Sequence, residues 1–118
     1  MTSYHDSTDL AHLRELRKAA PREFEAWQQL DAIVRIEDGS VPRKYRELIA
    51  LAVAHTTQCA YCIDVHARSA TEVGATVEEI AETILIAAAL RSGAAGAHGA
   101  LTMRLLHDAE TGTSEDRS

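Results

Sequence analysis

The sequence predicts an all-α fold, a compact bundle of about six helices. Alanine and leucine dominate the apolar residues, which make up 46% of the chain, while aromatic residues make up 4% and only two prolines interrupt it. Apolar side chains also recur at three- and four-residue spacing, most clearly in Phe24, Trp27, Leu30, Ile33 and Val34. This composition and spacing favour amphipathic helices over strands. We expect that stripe to form part of the core.

Start and stop signals divide the chain into these helices. Pro21 and Pro42 suit the first position of a helix, and Gly74 suits the position just after one. Thr76 and Glu79 form a capping-box pattern ahead of an apolar run. The predicted helices are, in order, one from Ser7 or Thr8 to Pro21, one over 21–36, one over 42–57, one from Cys59 to about Gly74, one from Thr76 to about Leu90, and a short one over 101–106.

A chain of 118 residues is the size of one domain, and we predict a single domain over residues 1–118. Its two ends are polar, so residues 1–7 and 111–118 are expected to be disordered tails. Residues 48–54 show no polar face, which implies burial on every side, by this fold or by a neighbouring subunit. We therefore predict a homo-oligomer.

The net charge is −6, and nucleic acids and anionic membranes attract clustered lysine and arginine instead. We expect neither as a partner. The N-terminus lacks the apolar segment of a signal peptide, and the most apolar runs, 48–54 and 84–90, are too short to cross a bilayer. The cytoplasm is the predicted location, where disulfides are usually transient and catalytic.

The chemically distinctive stretch is a C-x-x-C followed four residues later by a histidine. Cys59, Cys62 and His66 share one face if the segment is helical, and these are the only two cysteines of the chain. The thiols could be buried structural residues. Two cysteines and one histidine could also hold zinc. In an intracellular protein a C-x-x-C is more often a redox pair, and we predict no metal site.

Three further residues are candidates for chemistry. Glu47 opens the apolar stretch; buried, it would serve as a proton shuttle, whereas a solvated glutamate near a helix start is the simpler interpretation. His55, four residues before Cys59, and Tyr61, between the cysteines, are secondary candidates that more often have packing roles. Arg43, Lys44 and Arg46 are expected to form a solvated helix face.

The pattern E-x11-C-x2-C-x3-H, formed by Glu47, Cys59, Cys62 and His66, resembles alkylhydroperoxidase D-like proteins of the carboxymuconolactone decarboxylase superfamily. The resemblance covers about residues 42–90. It differs at Tyr61, where well-studied members have a histidine. It implies an alkylhydroperoxidase D-like all-α fold, oligomers, and reduction of hydroperoxides at the cost of a thiol or dithiol reductant, without a cofactor. The decarboxylase branch is similar in fold but does not depend on the cysteine pair.

Carried onto this chain, the resemblance implies that Cys62 attacks the peroxide, that Cys59 resolves the product, and that Glu47 and His66 relay protons. Position on the helix favours Cys59 as the more acidic thiol, since it lies nearest the helix start. His66 instead lies one turn after Cys62 and seven residues after Cys59, so a general base is better placed for Cys62. The competing class is a non-enzymatic redox sensor or binding module whose thiols respond to oxidants without turnover.

Overall fold

The computed structural model describes residues 4–112, and that part of the chain contains helices and no strand. The predicted all-α fold is confirmed. The elements are a 3-10 helix over Ser7–His12, α1 over Leu13–Ala19, α2 over Pro21–Asp31, a second 3-10 helix over Ala32–Arg35, α3 over Arg43–Thr57, α4 over Ala60–Glu72 and α5 over Val77–Thr111.

The two helices predicted after Thr76 are one helix, α5, because the small residues between them do not interrupt it. Residues 93–100 contain three glycines among four alanines. Each glycine costs about 1 kcal/mol in a helix, but alanine is the best helix former and no proline removes a backbone donor. The helix therefore runs through the segment expected to separate two helices.

Local signals set most other helix ends. Gly74 has φ +92°, the left-handed conformation expected after a helix. The predicted capping box at the start of α5 also forms. Thr76 Oγ1 accepts the Glu79 N–H at 3.1 Å, and the Glu79 carboxylate accepts the Thr76 N–H at 2.9 Å. The hydrogen bond from the Thr76 N–H, and next in size the hydrogen bond from Lys44, hold the pKa of Glu79 below its usual value. Pro42 is the N-cap of α3 and not its first helical residue, so α3 begins at Arg43, one residue later than predicted.

The N-terminal 3-10 helix begins at Ser7, within the predicted start, and Asp6 rather than Ser7 or Thr8 is its N-cap. Asp6 accepts the Thr8 N–H at 2.9 Å, and its own N–H donates to Asp9 at 3.1 Å. The hydrogen bond from the Thr8 N–H lowers the pKa of Asp6. Of the predicted tails, Ser7 and Thr111 are helical residues, and residues 1–3 and 113–118 lie outside the described part.

The chain forms two compact units, which divide after Ala87. The first unit contains a core cluster in which Leu48 of α3 packs with Ala70 and Ala75, and Ile80 of α5 lies against it. The second unit is the remainder of α5 and the residues after it. The prediction of a single domain stays a prediction.

Two apolar stretches are less buried than expected. In the stripe on α2 and the following 3-10 helix only Phe24 is buried, while Leu30 is 66% exposed. On α3, Leu48, Leu51 and Ala54 are buried, but Ile49 and Val53 are more than half exposed. The chain is too short to cover both sides of these helices by itself. The expectation that residues 48–54 are buried on every side is wrong for the single chain.

Helix α5 is long and apolar enough, by length and composition, to cross a membrane. Its most apolar 18-residue window is almost wholly exposed, unlike the core helix of a soluble protein. The short apolar runs in the sequence predicted no such helix, because charged and small residues separate them. The expected absence of a membrane span stays a prediction.

Candidate active site

The cysteine pair lies where α3 turns into α4. Gln58 takes the left-handed conformation, with φ 58°, and Cys59 is the N-cap of α4. Only these two residues separate the helices, so α4 packs directly back on α3. Cys59 and Cys62 are joined as a disulfide, with their Cα atoms 5.3 Å apart. The Cys59 sulfur also accepts the backbone N–H of Cys62 at 3.3 Å, which places it at the positive end of α4.

A buried carboxylate joins the two helices beside the disulfide. Glu47 of α3 is 1% exposed and is the one buried charged side chain among residues 4–112. Its Oε2 lies 2.7 Å from Nδ1 of His66 on α4. Its Oε1 accepts two hydrogen bonds from Arg43, at 2.7 Å from Nη2 and 3.1 Å from Nε. The solvated interpretation of Glu47 is therefore wrong, because α4 packs over the helix face that carries it.

Arg43 supplies the charge that makes this burial tolerable. A buried carboxylate without a partner is costly, and arginine is always protonated. Hydrogen bonding to Glu47, and next to Glu37 at 3.0 Å, raises the pKa of Arg43 above its usual value. Arg43 thus places a permanent positive charge beside the buried Glu47. With Nδ1–H donated to Glu47, the nitrogen left to accept a proton is Nε2.

A cavity of about 470 Å³ opens beside α3 and α4. Its walls are mostly apolar and include Ile33, Val34, Val41, Ile49 and Val53. Cys62 and His66 both line it, whereas Cys59 and Glu47 do not. This volume lies in the range of small-molecule sites, which combine apolar walls with a few polar groups. A small ligand in the cavity thus meets the Cys62 side of the disulfide together with the imidazole.

The two secondary candidates lie away from this cavity. His55 is held on its own helix, with Nδ1 2.8 Å from the carbonyl oxygen of Leu51, a packing arrangement. Tyr61 donates its hydroxyl to Asp9 at 2.8 Å, which ties the N-terminal 3-10 helix to α4. That hydrogen bond raises the pKa of Tyr61. Tyr61 lines a separate small cavity of about 230 Å³.

The alternative of a zinc site is not assembled in this state. The two sulfurs are bonded to each other, and Nδ1 of His66 is bonded to Glu47. Within residues 4–112, no group of three or more histidine, cysteine, aspartate or glutamate side chains has the arrangement of a metal site.

The sequence reasoning missed two arginines. Arg43 holds the buried carboxylate, and Arg46 lines the main cavity, so neither belongs to a merely solvated face. The four-residue spacing from Arg43 to Glu47 was the available signal, but such pairs are common on exposed helix surfaces. Only the burial of Glu47 distinguishes this pair. Nothing in the sequence pattern singles out Arg46 from its neighbours.

Comparison with known proteins gives the family. The model of the carboxymuconolactone decarboxylase family matches residues 21–103, more than two thirds of the chain. The chain belongs to this family. The match includes all four residues of the predicted motif and confirms the superfamily that the motif indicated.

Relatives agree in sequence and in structure. The chain is 40% identical over 98 residues to "Uncharacterized protein 4 in cox locus" of Paracoccus denitrificans, covering 83% of this chain and 87% of that protein. It is 48% identical over 56 residues to an uncharacterized protein of Haemophilus influenzae, about half of each chain. A crystal structure of a carboxymuconolactone decarboxylase family protein from Legionella pneumophila matches with a TM-score of 0.65 and 32% identity, covering 71% of this chain and 75% of that one.

Proposed function

We propose that the protein is a thiol-dependent peroxidase that reduces hydroperoxides through Cys62 and Cys59. One observation carries the proposal. Cys62, which forms a disulfide with Cys59, also lines an apolar cavity together with His66. Nδ1 of His66 is held by the buried carboxylate of Glu47. A nucleophile beside a base that is itself oriented by a third group is the usual arrangement of an activated nucleophile. Membership in a family that includes enzymes agrees with this reading.

In the reduced protein, Nε2 of His66 takes the proton of the Cys62 thiol. The thiolate attacks the outer oxygen of ROOH, so that an S–O bond forms and the O–O bond breaks. The leaving alkoxide receives the proton from His66 and departs as ROH. Cys62 is then a sulfenic acid, oxidised by two electrons. Throughout, the Glu47 carboxylate, which also accepts hydrogen bonds from Arg43, stabilises the transient positive charge on the imidazole.

The second step consumes the sulfenic acid. The Cys59 sulfur attacks the Cys62 sulfur, a disulfide forms and water is released. The Cys62 N–H and the start of α4 stabilise negative charge on Cys59, which favours its thiolate. A dithiol reductant then returns two electrons and two protons to the pair and is itself oxidised to a disulfide. A reducing compartment such as the cytoplasm fits this cycle.

Steady-state peroxide consumption in the presence of dithiothreitol tests the function. We expect many equivalents of cumene hydroperoxide to be reduced per protein, at an unchanged rate when a chelator is present. A non-enzymatic sensor would leave peroxide consumption at the background rate of dithiothreitol alone. Loss of activity with the chelator would instead favour a metal-dependent reaction.

We also propose a homo-oligomer. Large apolar side chains are exposed in both units, Tyr45, Ile49 and Ile86 in the first and Leu90, Leu101 and Met103 in the second. Exposed apolar surface of this extent marks interaction sites in soluble proteins. Light scattering at micromolar concentration should give a mass that is a multiple of 12.8 kDa. A stable monomer would contradict this proposal.

A further inference from the structure

We propose that Arg46 makes the cavity selective for hydroperoxides whose apolar body carries a carboxylate, such as those of long-chain fatty acids. The inference rests on the peroxidase function proposed above and narrows its substrate class. It starts from a difference among three cations at the beginning of α3, two of which have carboxylate partners.

Arg43 pairs with Glu47 and Glu37, and Lys44 pairs with Glu79 at 2.9 Å. Arg46 forms no ion pair with any carboxylate of residues 4–112. The one that lacks a carboxylate is also the one that lines the cavity.

The guanidinium of Arg46 is held in place by backbone groups. Its Nε donates to the carbonyl oxygen of Val41 at 2.9 Å, and its Nη1 donates to that of Ile33 at 2.6 Å. Its Nη2 lies so close to Gly39 that a side chain there would displace it. A guanidinium has five N–H donors, so three have no acceptor among the described residues. The group is thus fixed, charged and still able to bind an anion.

The remaining walls determine the rest of the ligand. Ile33, Val41, Ile49 and Val53 line the cavity beside Arg46, so they favour an apolar body. Cys62 and His66 line the same cavity, so the reacting peroxide must reach them while the charged end meets the arginine. A carboxylate matches the planar fork of a guanidinium with two parallel hydrogen bonds. A neutral ligand would leave those donors without an acceptor, which costs binding free energy.

The test compares linoleic acid hydroperoxide with the hydroperoxide of its methyl ester, which differ only at the carboxyl group, charged in the acid and a neutral methyl ester in the other. For the wild-type protein we expect a higher kcat/KM with the acid. In Arg46→Met the value for the acid should fall about tenfold, which corresponds to about 1.4 kcal/mol, mainly through KM, while the value for the ester changes less than about twofold. Arg46→Lys should retain part of the preference. Lys44→Gln, on the same helix but outside the cavity, is the matched control and should keep it.

Two results would overturn the inference and leave the peroxidase function in place. One is an equal kcat/KM for acid and ester in the wild-type protein. The other is an equal loss for both in Arg46→Met, which would make Arg46 a structural residue only.

If neither compound is consumed, the peroxidase function fails, and calorimetric binding of linoleate and methyl linoleate decides the ligand class separately. Tighter binding of linoleate that is lost in Arg46→Met would support the site, and equal binding of both would reject it. Binding of neither compound would also reject it.

Discussion

The two sulfurs of the disulfide lie next to each other, yet they have different surroundings. Cys62 lines the apolar cavity with His66, whereas Cys59 lies at the start of α4, where its sulfur accepts the Cys62 N–H, and does not line the cavity. The base and the helix dipole therefore act on different sulfurs. In the proposed cycle, the two effects that compete in the sequence act on different steps, the attack on peroxide and the closing of the disulfide.

The magnitudes support this division. A charge at an exposed helix start gains about 0.3–1 kcal/mol, which suits a thiolate that only has to condense with a sulfenic acid. Proton transfer by a positioned base contributes about 10²- to 10⁴-fold, or about 2.7 kcal/mol or more, which matters most in breaking the O–O bond. Four sets of variants test this comparison of the two sulfurs.

The largest effect is expected from removing the cavity-facing sulfur. Cys62→Ser should reduce hydroperoxide consumption to the background rate, because no other thiol meets the cavity. Cys59→Ser should still consume about one equivalent and then stop, because no partner closes the disulfide. Peroxide and free thiol are followed together in the stopped-flow instrument. If the two variants lose activity equally before the first equivalent is consumed, the comparison breaks down.

Glu47→Gln should slow the reaction of Cys62 by about 10²-fold or more, because the amide no longer stabilises a protonated His66. The helical content should be unchanged. Glu37→Gln is the matched control, since Glu37 binds the same guanidinium at 3.0 Å but is 74% exposed. We expect a change below about twofold there. A loss under about threefold in Glu47→Gln would show that the buried carboxylate does not assist Cys62.

Arg43→Gln should act through Glu47, lowering the rate about tenfold and the free energy of unfolding by about 1.5–3 kcal/mol, because it removes two charged hydrogen bonds from a buried carboxylate. Arg43→Lys should recover part of the rate. Arg35→Gln removes an arginine with the same spacing to its partner, Asp31, but both are about half exposed, and the expected cost is below about 1 kcal/mol. Equal costs in urea denaturation would show that burial of Glu47 does not matter.

The smallest effect on catalysis is expected at Tyr61, which separates the cysteines but does not line the main cavity. Tyr61→Phe should change kcat/KM less than about twofold while releasing the 3-10 helix over Ser7–His12, as measured by hydrogen exchange. The hydrogen bond to Asp9 raises the pKa of Tyr61 above its ordinary value of about 10. The stabilisation from this bond is therefore fully present at a pH below that ordinary value. It is lost as the pH rises through the raised pKa of the folded protein. Alkaline pH should release this helix in the wild-type protein alone, since the phenylalanine variant has already lost the bond.

Much of the fold could be predicted from local signals. Gly74, Thr76 and Glu79 mark their turn because the interactions involved lie within a few residues. The continuous α5 could not be predicted with the same ease, because alanine and glycine in residues 93–100 have opposing propensities and their balance decides the outcome.

The site was predictable where spacing along the helices determines it. Cys59, Cys62 and His66 follow from one helical face, while Glu47 was a candidate whose solvated alternative the sequence left open until the resemblance favoured a role in the site. The burial of Glu47 depends on how α4 packs on α3, a tertiary contact that no local pattern contains. Arg43 and Arg46 were missed for the same reason. The sequence does not show whether an arginine faces solvent, a buried carboxylate or a cavity.

The most direct test of the division between the sulfurs is the site of sulfenic acid formation. Reduced Cys59→Ser protein is treated with one equivalent of cumene hydroperoxide in the presence of dimedone, and the labelled cysteine is identified and timed by mass spectrometry, with Cys62→Ser treated in parallel. In Cys59→Ser we predict a dimedone adduct on Cys62 that forms at the rate of wild-type peroxide consumption. In Cys62→Ser we predict almost no adduct on Cys59. An adduct on Cys59 of the Cys62→Ser protein that forms as fast as the wild type consumes peroxide would contradict the account.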